Sequence, residues 1–246
     1  MANLVDSKSK LEWARTHLPT LKSALARFFE SKPCEFFNEP STDKASVHVK
    51  LRMRKPIPRE ISHLVGDVIH NLRASLDYAA CDLAQLNGAK NVDGVYFPFG
   101  KTKETFEASA SDKLRKLSKE AKAHIHTLKP YRGGNEVLWL VHYLDLGDKH
   151  RRLTPIGMTG STGAHIELMT SGGISFATPK WDSLETGMRV ASIQNDTQWN
   201  GKISAETTVA FGEIQSIAHT PVEPLVQQLV HECESVLAGI ESKFFK

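Results

Sequence analysis

Hydrophobic residues recur at steps of three and four positions in several long segments of the chain, which is the pattern of amphipathic helices. This spacing predicts helices over residues 8–30, 61–87 and 222–244, and one or two shorter helices within 104–128. In the segment 135–152 the hydrophobic residues go nearly all round the helix, so we expect that helix to be buried.

Other segments alternate hydrophobic with polar residues, which predicts half-buried strands. The clearest alternation covers 47–53, and the preceding CEFFN and EPSTDKA sequences predict a β-hairpin at about 34–54. After residue 153, strand-like segments separated by Gly-rich or Asn/Asp-rich sequences predict an antiparallel sheet of about four strands, to which 47–53 can add. TGSTG at 159–163 is interpreted as one of the turns. The strand-like segments are 164–170, 173–178, 187–194 and 203–211.

The order of these elements predicts an α+β fold. We expect a mainly helical domain over 1–152 that carries the hairpin, followed by a region of antiparallel sheet over 153–212. The remaining segment, 213–246, contains the C-terminal helix, which we expect to pack back on the helical part.

Composition and charge narrow the class of protein. Hydrophobic residues make up 40% of the 246 residues and charged residues 24%, as in a globular chain, and the net charge of +3 does not by itself indicate nucleic-acid binding. The three cysteines, Cys34, Cys81 and Cys233, are far apart, which favours neither a disulfide framework nor a thiolate zinc site. With no signal-peptide pattern and no apolar stretch of membrane-spanning length, we expect a cytoplasmic protein without a membrane partner.

The helix predicted over 61–87 carries an unusual group of polar residues on the face opposite its hydrophobic stripe. At 100° per residue, two imidazoles, two carboxylates and one guanidinium fall within about 60° of the position of His70. Between His63 and Ala84 this helix has none of the Lys, Glu and Gln residues that usually cover a solvated helix face. The five residues are His63, Asp67, His70, Arg73 and Asp77.

A second polar group lies at the C-terminal end of the 135–152 helix. Within that helix, His142 and Asp145 are surrounded by hydrophobic residues, and buried polar groups need partners, so we expect one of them to face the polar side of 61–87. The alternative for both groups is structural: Arg73 and Asp77 form an ordinary i,i+4 ion pair, and the basic residues complement the helix dipole. The terminal group comprises Asp145, Asp148, Lys149, His150, Arg151 and Arg152.

Neither a metal site nor a cofactor is expected. His63 and His70 are seven residues apart, about 10.5 Å along the helix, which is too far for two ligands of one ion. His124 and His126 form another pair, but no motif supports a site there.

Three stretches of the chain resemble a large family of uncharacterised bacterial proteins. They are GDVIHNLRASLDYAACDLA at 66–84, LKPYRGG at 128–134 and LVHYLDLGDKHRRL at 140–153. Members of that family look like GDxxHNLRSALDH followed downstream by DKHR, and the resemblance runs from about 45 to 244. The family has no assigned activity.

A looser resemblance points to the HEPN superfamily of helical nucleases and nucleotide-binding proteins. Its signature is an arginine followed four to six residues later by a histidine. The arginine here is Arg73, but Tyr78 stands where the histidine is expected, and tyrosine is a poor general base near neutral pH. The resemblance therefore implies that His70 or His150 supplies the imidazole, or that activity is lost. It implies a HEPN-like helical bundle and a homodimer, and the strand-like segments add an antiparallel sheet to that bundle.

The expected function is action on RNA or a nucleotide, as a metal-independent ribonuclease of a toxin or phage-defence system. An imidazole, His70 or His150, would act as general base on a ribose 2′-hydroxyl, with Arg73 stabilising the phosphate charge and Asp77 or Asp67 orienting the imidazole. The expected catalytic residues are His70, Arg73, Asp77 and His150, and the expected substrate-binding residues are Asp67, Asn71, Tyr78, Lys149 and Arg151.

Two alternatives stay open. One is a binding or regulatory module without catalysis that partners another protein, which Tyr78 favours. The other is a hydrolase for a small phosphorylated ligand held between helices 61–87 and 136–152.

Overall fold

The computed structural model describes residues 3–150, 155–176, 187–211, 217 and 220–245, with the backbone alone for 148–150 and for much of 155–170. The chain divides into two compact units. The first, which we call the helical unit, comprises Met1–Lys22, Ser62–Leu153 and Glu223–Lys246, and the second, the sheet unit, comprises Ser23–Ile61 and Thr154–Val222.

The described residues form six helices, which together with the strands give the α+β class that the sequence predicts. Their periodic hydrophobic residues are buried, as in α2, where the stripe is solvent-exposed only at Leu86. The helices are α1 (Val5–Glu30), α2 (Arg59–Leu86), α3 (Lys103–Lys113), α4 (Lys119–Leu128), α5 (Glu136–His150) and α6 (Val222–Phe244).

Local sequence signals set several of the helix ends. Thr102 caps α3 in a reciprocal capping box with Thr105, and Ser118 caps α4 by accepting from the Ala121 amide. Gly88 follows α2 with φ of +86°, the left-handed conformation that a glycine adopts without steric cost. Pro19 does not end α1, which continues through it.

Polar contacts connect the helices within the helical unit. The Ser7 hydroxyl on α1 donates to the Ser75 carbonyl on α2 at 2.7 Å, and both residues are fully buried. Helix α6 contacts α1 through an ion pair of 2.9 Å between Arg15 and Glu234. It also accepts a hydrogen bond of 2.6 Å from the Asn135 side chain, just before α5.

The sheet unit contains a four-stranded antiparallel sheet in the order β1-β2-β5-β4 and a separate antiparallel pair, β3-β6. One face of the four-stranded sheet is hydrophobic, with Val49, Leu51 and Ala191 buried, and Ile203 and Ala205 of β6 pack against that core. The strands are β1 (Cys34–Pro40), β2 (Ser46–Met53), β3 (Pro155–Ser171), β4 (Ile174–Phe176), β5 (Met188–Gln194) and β6 (Gln198–Phe211).

The hairpin of β1 and β2 forms as expected, and β2 adds to the antiparallel sheet by pairing with β5, as the alternation at 47–53 allows. The hairpin lies in the sheet unit, whereas the sequence prediction groups it with the helical domain over 1–152. The 159–163 segment is not a turn. It lies inside β3, whose register with β6 shifts between Thr159 and Ser161, and such a bulge accommodates a glycine-rich stretch within a strand.

Among the helices of the described residues, none combines the length and the hydrophobicity that crossing a membrane requires.

Candidate functional site

The polar residues of α2 do not share one environment. His63, Asp67 and His70 are exposed, as is Tyr78, whereas Arg73 is only 8% exposed. The single polar face expected from the helical wheel is therefore divided into a solvent-exposed part and a buried part. The wheel could not show this, because burial here depends on what other segments place over the helix.

Arg73 lies at the centre of the buried part. It forms an ion pair with Asp77, one turn along α2, and its Nη2 donates to the Phe97 carbonyl at 3.3 Å. Its Nε donates to Nδ1 of His142 at 3.4 Å, and its guanidinium lies 4.6 Å from the centre of the Phe99 ring. We call this set of five residues the Arg73 network.

The other members of the network bind one another as well. The Phe97 amide donates to Oδ1 of Asp77 at 2.8 Å, and the rings of Phe99 and His142 are stacked at 4.9 Å. Burial raises the pKa of Asp77 above its usual value, while the charge of Arg73 acts in the opposite direction. The network therefore joins α2, α5 and the segment before α3 through mutually paired groups that are buried or half-buried.

The exposed part of α2 contains a different arrangement, centred on His70. The His70 side chain is 56% exposed, and its Nδ1 lies 3.1 Å from Oδ1 of Asp145, whose side chain is 4% exposed. A buried carboxylate that holds one ring nitrogen fixes the orientation of an imidazole and leaves the other nitrogen for chemistry. We call these two residues the His70–Asp145 pair.

These contacts agree with the prediction that polar residues of α5 face α2, and they show which carboxylate contacts His70. His142 and Asp145 of α5 both face the polar side of α2, as their position within a hydrophobic helix indicates. Asp77 and Asp67, in contrast, are not the partners found for His70. Asp77 binds Arg73 and the Phe97 amide, and Asp67 contributes its main-chain carbonyl to Asn71.

Asn71 connects α2 to a lysine that sequence reasoning did not single out. Its Nδ2 donates to the Asp67 carbonyl at 2.7 Å, and its Oδ1 accepts from Nζ of Lys10 on α1 at 3.2 Å. Lys10 thus brings a positive charge beside the residue that follows His70. The sequence did not indicate a functional role for Lys10, because lysine is common on the exposed face of an amphipathic helix.

Three more of the expected site residues lie at the end of α5 and just after it. The backbone of Lys149 and His150 belongs to α5, and their side chains lie outside the described residues, as does Arg151. Tyr78 is described and is 42% exposed, on the same helix as His70 but eight residues further on, about 12 Å by helical rise.

Sequence reasoning also missed Phe97, Phe99 and Lys113. Burial, and after it the charge of Arg73, lower the pKa of Lys113, while the charge of Asp77 acts in the opposite direction. Phe97 and Phe99 belong to the VYFPFG segment at 95–100, and nothing in its sequence indicates which helix it covers.

No group of three or more His, Cys, Asp or Glu side chains within the described part of the chain is arranged to hold a metal ion. His126 instead lies 3.1 Å from a Glu107 carboxylate, and His124 lies against the Phe244 ring. The three cysteines are free thiols.

Comparison of the whole chain with models of protein families, with curated proteins and with solved structures yields no match in any of the three.

Proposed function

We propose that the helical unit is a HEPN-like domain that acts on RNA or a nucleotide, with His70 as the general base. The observation that carries the proposal is the His70–Asp145 pair: a solvent-accessible imidazole whose Nδ1 contacts a buried carboxylate. In this arrangement Nδ1 of His70 donates a hydrogen bond to Asp145, which selects the tautomer with an unprotonated Nε2, so that Nε2 can remove a proton from a hydroxyl.

The reaction that suits a lone base of this kind is attack of a ribose 2′-hydroxyl on the adjacent phosphate. His70 takes the 2′-hydroxyl proton, the 2′-oxygen bonds to phosphorus, and the 5′-oxygen of the next nucleotide leaves and is protonated by solvent. Asp145 stabilises the imidazolium that forms. The nucleophile is part of the substrate, so the step requires no metal-bound water.

The role of Arg73 in this proposal differs from the one that the sequence suggested. A guanidinium that is 8% exposed and bound to Asp77, the Phe97 carbonyl and His142 has little surface left for a phosphate. We assign it to the positioning of α5 on α2, which carries Asp145 to His70. Lys10, beside Asn71, is the described cation that we place near the substrate phosphate.

The test is cleavage of a mixed pool of RNA by the purified full-length protein, with and without a chelator. His70→Gln and Asp145→Asn remove the base and its carboxylate, and a matched control, His63→Gln, changes an exposed histidine two turns away on the same helix. Loss of a general base lowers the rate by about 100-fold or more. We expect that loss for His70→Gln, a smaller loss for Asp145→Asn, and wild-type cleavage for His63→Gln.

Chelator-resistant cleavage that survives in His70→Gln would contradict the proposal. Equal rates for His70→Gln and His63→Gln would also remove His70 from the chemistry.

The burial of Arg73 favours a second candidate, a binding or regulatory module without catalysis. In such a module the Arg73 network only has to hold the helices in place, so its arginine can be buried. This candidate predicts no cleavage by the wild-type protein but direct binding of RNA or of a protein partner. The two assays together separate the candidates. Binding of labelled RNA in fluorescence anisotropy with no cleavage by the wild-type protein supports the module, whereas chelator-resistant cleavage that His70→Gln abolishes contradicts it.

A further inference from the structure

A row of four polar side chains crosses the four-stranded sheet of the sheet unit. The register places Glu39 opposite His48, His48 opposite Ser192, and Ser192 opposite Ser175. Residues directly opposite each other in a sheet share a face, so these side chains lie on the face away from the buried hydrophobic core. The row lies in the sheet unit, and the function proposed above does not use it.

The contact in the middle of the row joins a hydroxyl to an imidazole. Oγ of Ser192 and Nδ1 of His48 are 2.9 Å apart, and both side chains are half-buried. This distance lies within the range for a nucleophile and its base, about 2.6–3.2 Å. When Ser192 donates, Nδ1 of His48 is the acceptor, and Nε2 carries the ring proton.

An acidic side chain stands on the other side of His48. Glu39 forms an ion pair with Lys50, and this pairing, with a smaller contribution from the charge of His48, lowers the pKa of Glu39. Its carboxylate is therefore ionised at neutral pH, and the register sets Glu39 directly opposite His48, where the Cβ atoms of an antiparallel pair lie about 4.5–5.5 Å apart. A negative charge in this position stabilises an imidazolium.

The serine end of the row opens into a cavity. Its volume is about 540 Å³, within the range of small-molecule sites, and Ser46, Gly173, Ser175, Ser192 and Gln194 are among the residues that line it. At Gly173 a Cβ atom would lie 3.2 Å from Oε1 of Gln194, so the glycine leaves room beside that side-chain amide. Nε2 of Gln194, which would lie 3.9 Å from the same Cβ position, is the hydrogen-bond donor that we place on a carbonyl oxygen in the cavity.

We propose that Ser192 is the nucleophile of a second site, which hydrolyses small carboxylic esters with His48 as the base and Glu39 as the group that stabilises its charged form. The Ser192 oxygen bonds to the ester carbonyl carbon while its proton passes to Nδ1 of His48. The carbon–alkoxy bond then breaks, and the departing alkoxide takes that proton as an alcohol. Water attacks the acyl–Ser192 ester, His48 takes and returns one proton, and the carboxylic acid leaves with Ser192 restored.

Covalent labelling of the full-length protein tests this directly. A fluorophosphonate reacts with an activated serine with loss of fluoride, and peptide mass spectrometry of the wild-type protein identifies the residue that carries the adduct. We expect the adduct on Ser192. An adduct elsewhere, or none at a reagent concentration that labels a known serine hydrolase, would overturn the proposal without any variant being made.

Hydrolysis of p-nitrophenyl acetate measures the reaction itself. We expect Ser192→Ala and His48→Gln each to lower the rate by about 100-fold or more. The control is Thr42→Ala, which removes an exposed hydroxyl from the turn between β1 and β2, outside the cavity, and it should keep the wild-type rate. Equal rates for Ser192→Ala and Thr42→Ala would mean that the Ser192–His48 contact is only a cross-strand pair.

Two further variants separate the roles. Glu39→Gln should keep labelling at Ser192 but change the pH–rate profile of ester hydrolysis, because it removes the negative charge opposite the base. An unchanged profile would remove Glu39 from the site. His70→Gln, in the helical unit, should leave ester hydrolysis intact, so a failure of either proposed site is distinguishable from a failure of the other.

Discussion

Replacement of Arg73 by methionine tests whether the Arg73 network is a structural unit. Methionine keeps the unbranched, hydrophobic stem and removes the guanidinium, so Asp77 loses its cation while its side chain remains only 21% exposed. Removing one partner of a buried ion pair costs about 3–5 kcal/mol. Because Asp77 keeps the hydrogen bond from the Phe97 amide, we expect the low end, about 3 kcal/mol, in the free energy of unfolding.

The pH dependence of this loss has a definite sign. Burial already raises the pKa of Asp77, and without Arg73 the pKa rises further. A carboxyl whose pKa is higher in the folded than in the unfolded state stabilises the fold at low pH, and this stabilisation is lost as the pH rises through the folded-state pKa. The destabilisation by Arg73→Met should therefore be larger near pH 8 than near pH 5.

The assay is urea unfolding followed by far-ultraviolet circular dichroism at both pH values. In the double variant Arg73→Met/Asp77→Asn, the asparagine oxygen still accepts from the Phe97 amide but carries no charge, so we expect a smaller loss with little dependence on pH. His63→Ala, at an exposed position of α2, is the control for helix substitutions. An Arg73→Met variant within about 0.5 kcal/mol of the wild type, the range of ordinary surface substitutions, would refute the reasoning.

Three further predictions concern stability in the helical unit. Burial, with the charge of Asp6, raises the pKa of Asp82 to about 6, and one of its oxygens is buried without a hydrogen-bond partner. Asp82→Asn should therefore be more stable than the wild type by about 1 kcal/mol near pH 8, after allowance for partial solvent exposure, and equal to it near pH 4, by urea unfolding. At Gly100 a Cβ atom would lie 2.2 Å from the Phe106 amide nitrogen, so Gly100→Ala should lower the melting temperature through about 1–3 kcal/mol of overpacking. Leu138 is fully buried in α5, and Leu138→Ala should cost about 2–5 kcal/mol in calorimetry, whereas a cost under 1 kcal/mol would mean that α5 is loosely packed.

The sequence predicted the parts of the site that depend on neighbouring positions of one helix. The i,i+4 spacing of Arg73 and Asp77 indicated their ion pair, and polar residues within the hydrophobic α5 indicated that His142 and Asp145 have partners. It did not predict which polar residues of α2 stay exposed. Phe97 and Phe99 contact Arg73, but the sequence of their segment does not indicate that it packs on α2.

Within the sheet unit the same limit applies to pairing between distant strands. Alternation of hydrophobic and polar residues predicted β2 and β5 as strands. It could not show that β5 lies beside β2 while β3 pairs with β6, because strand pairing depends on which hydrophobic faces meet in the folded core.

The sequence alone therefore determined the class of the fold, the extents of the helices and the residue types available on α2, since helical and strand periods are properties of neighbouring residues. Only the tertiary structure decided that Arg73 is buried, that Asp145 holds His70, and that His48 meets Ser192, 144 positions away. These outcomes depend on long-range packing, in which the burial of hydrophobic surface brings together side chains whose spacing along the chain carries no periodic signal.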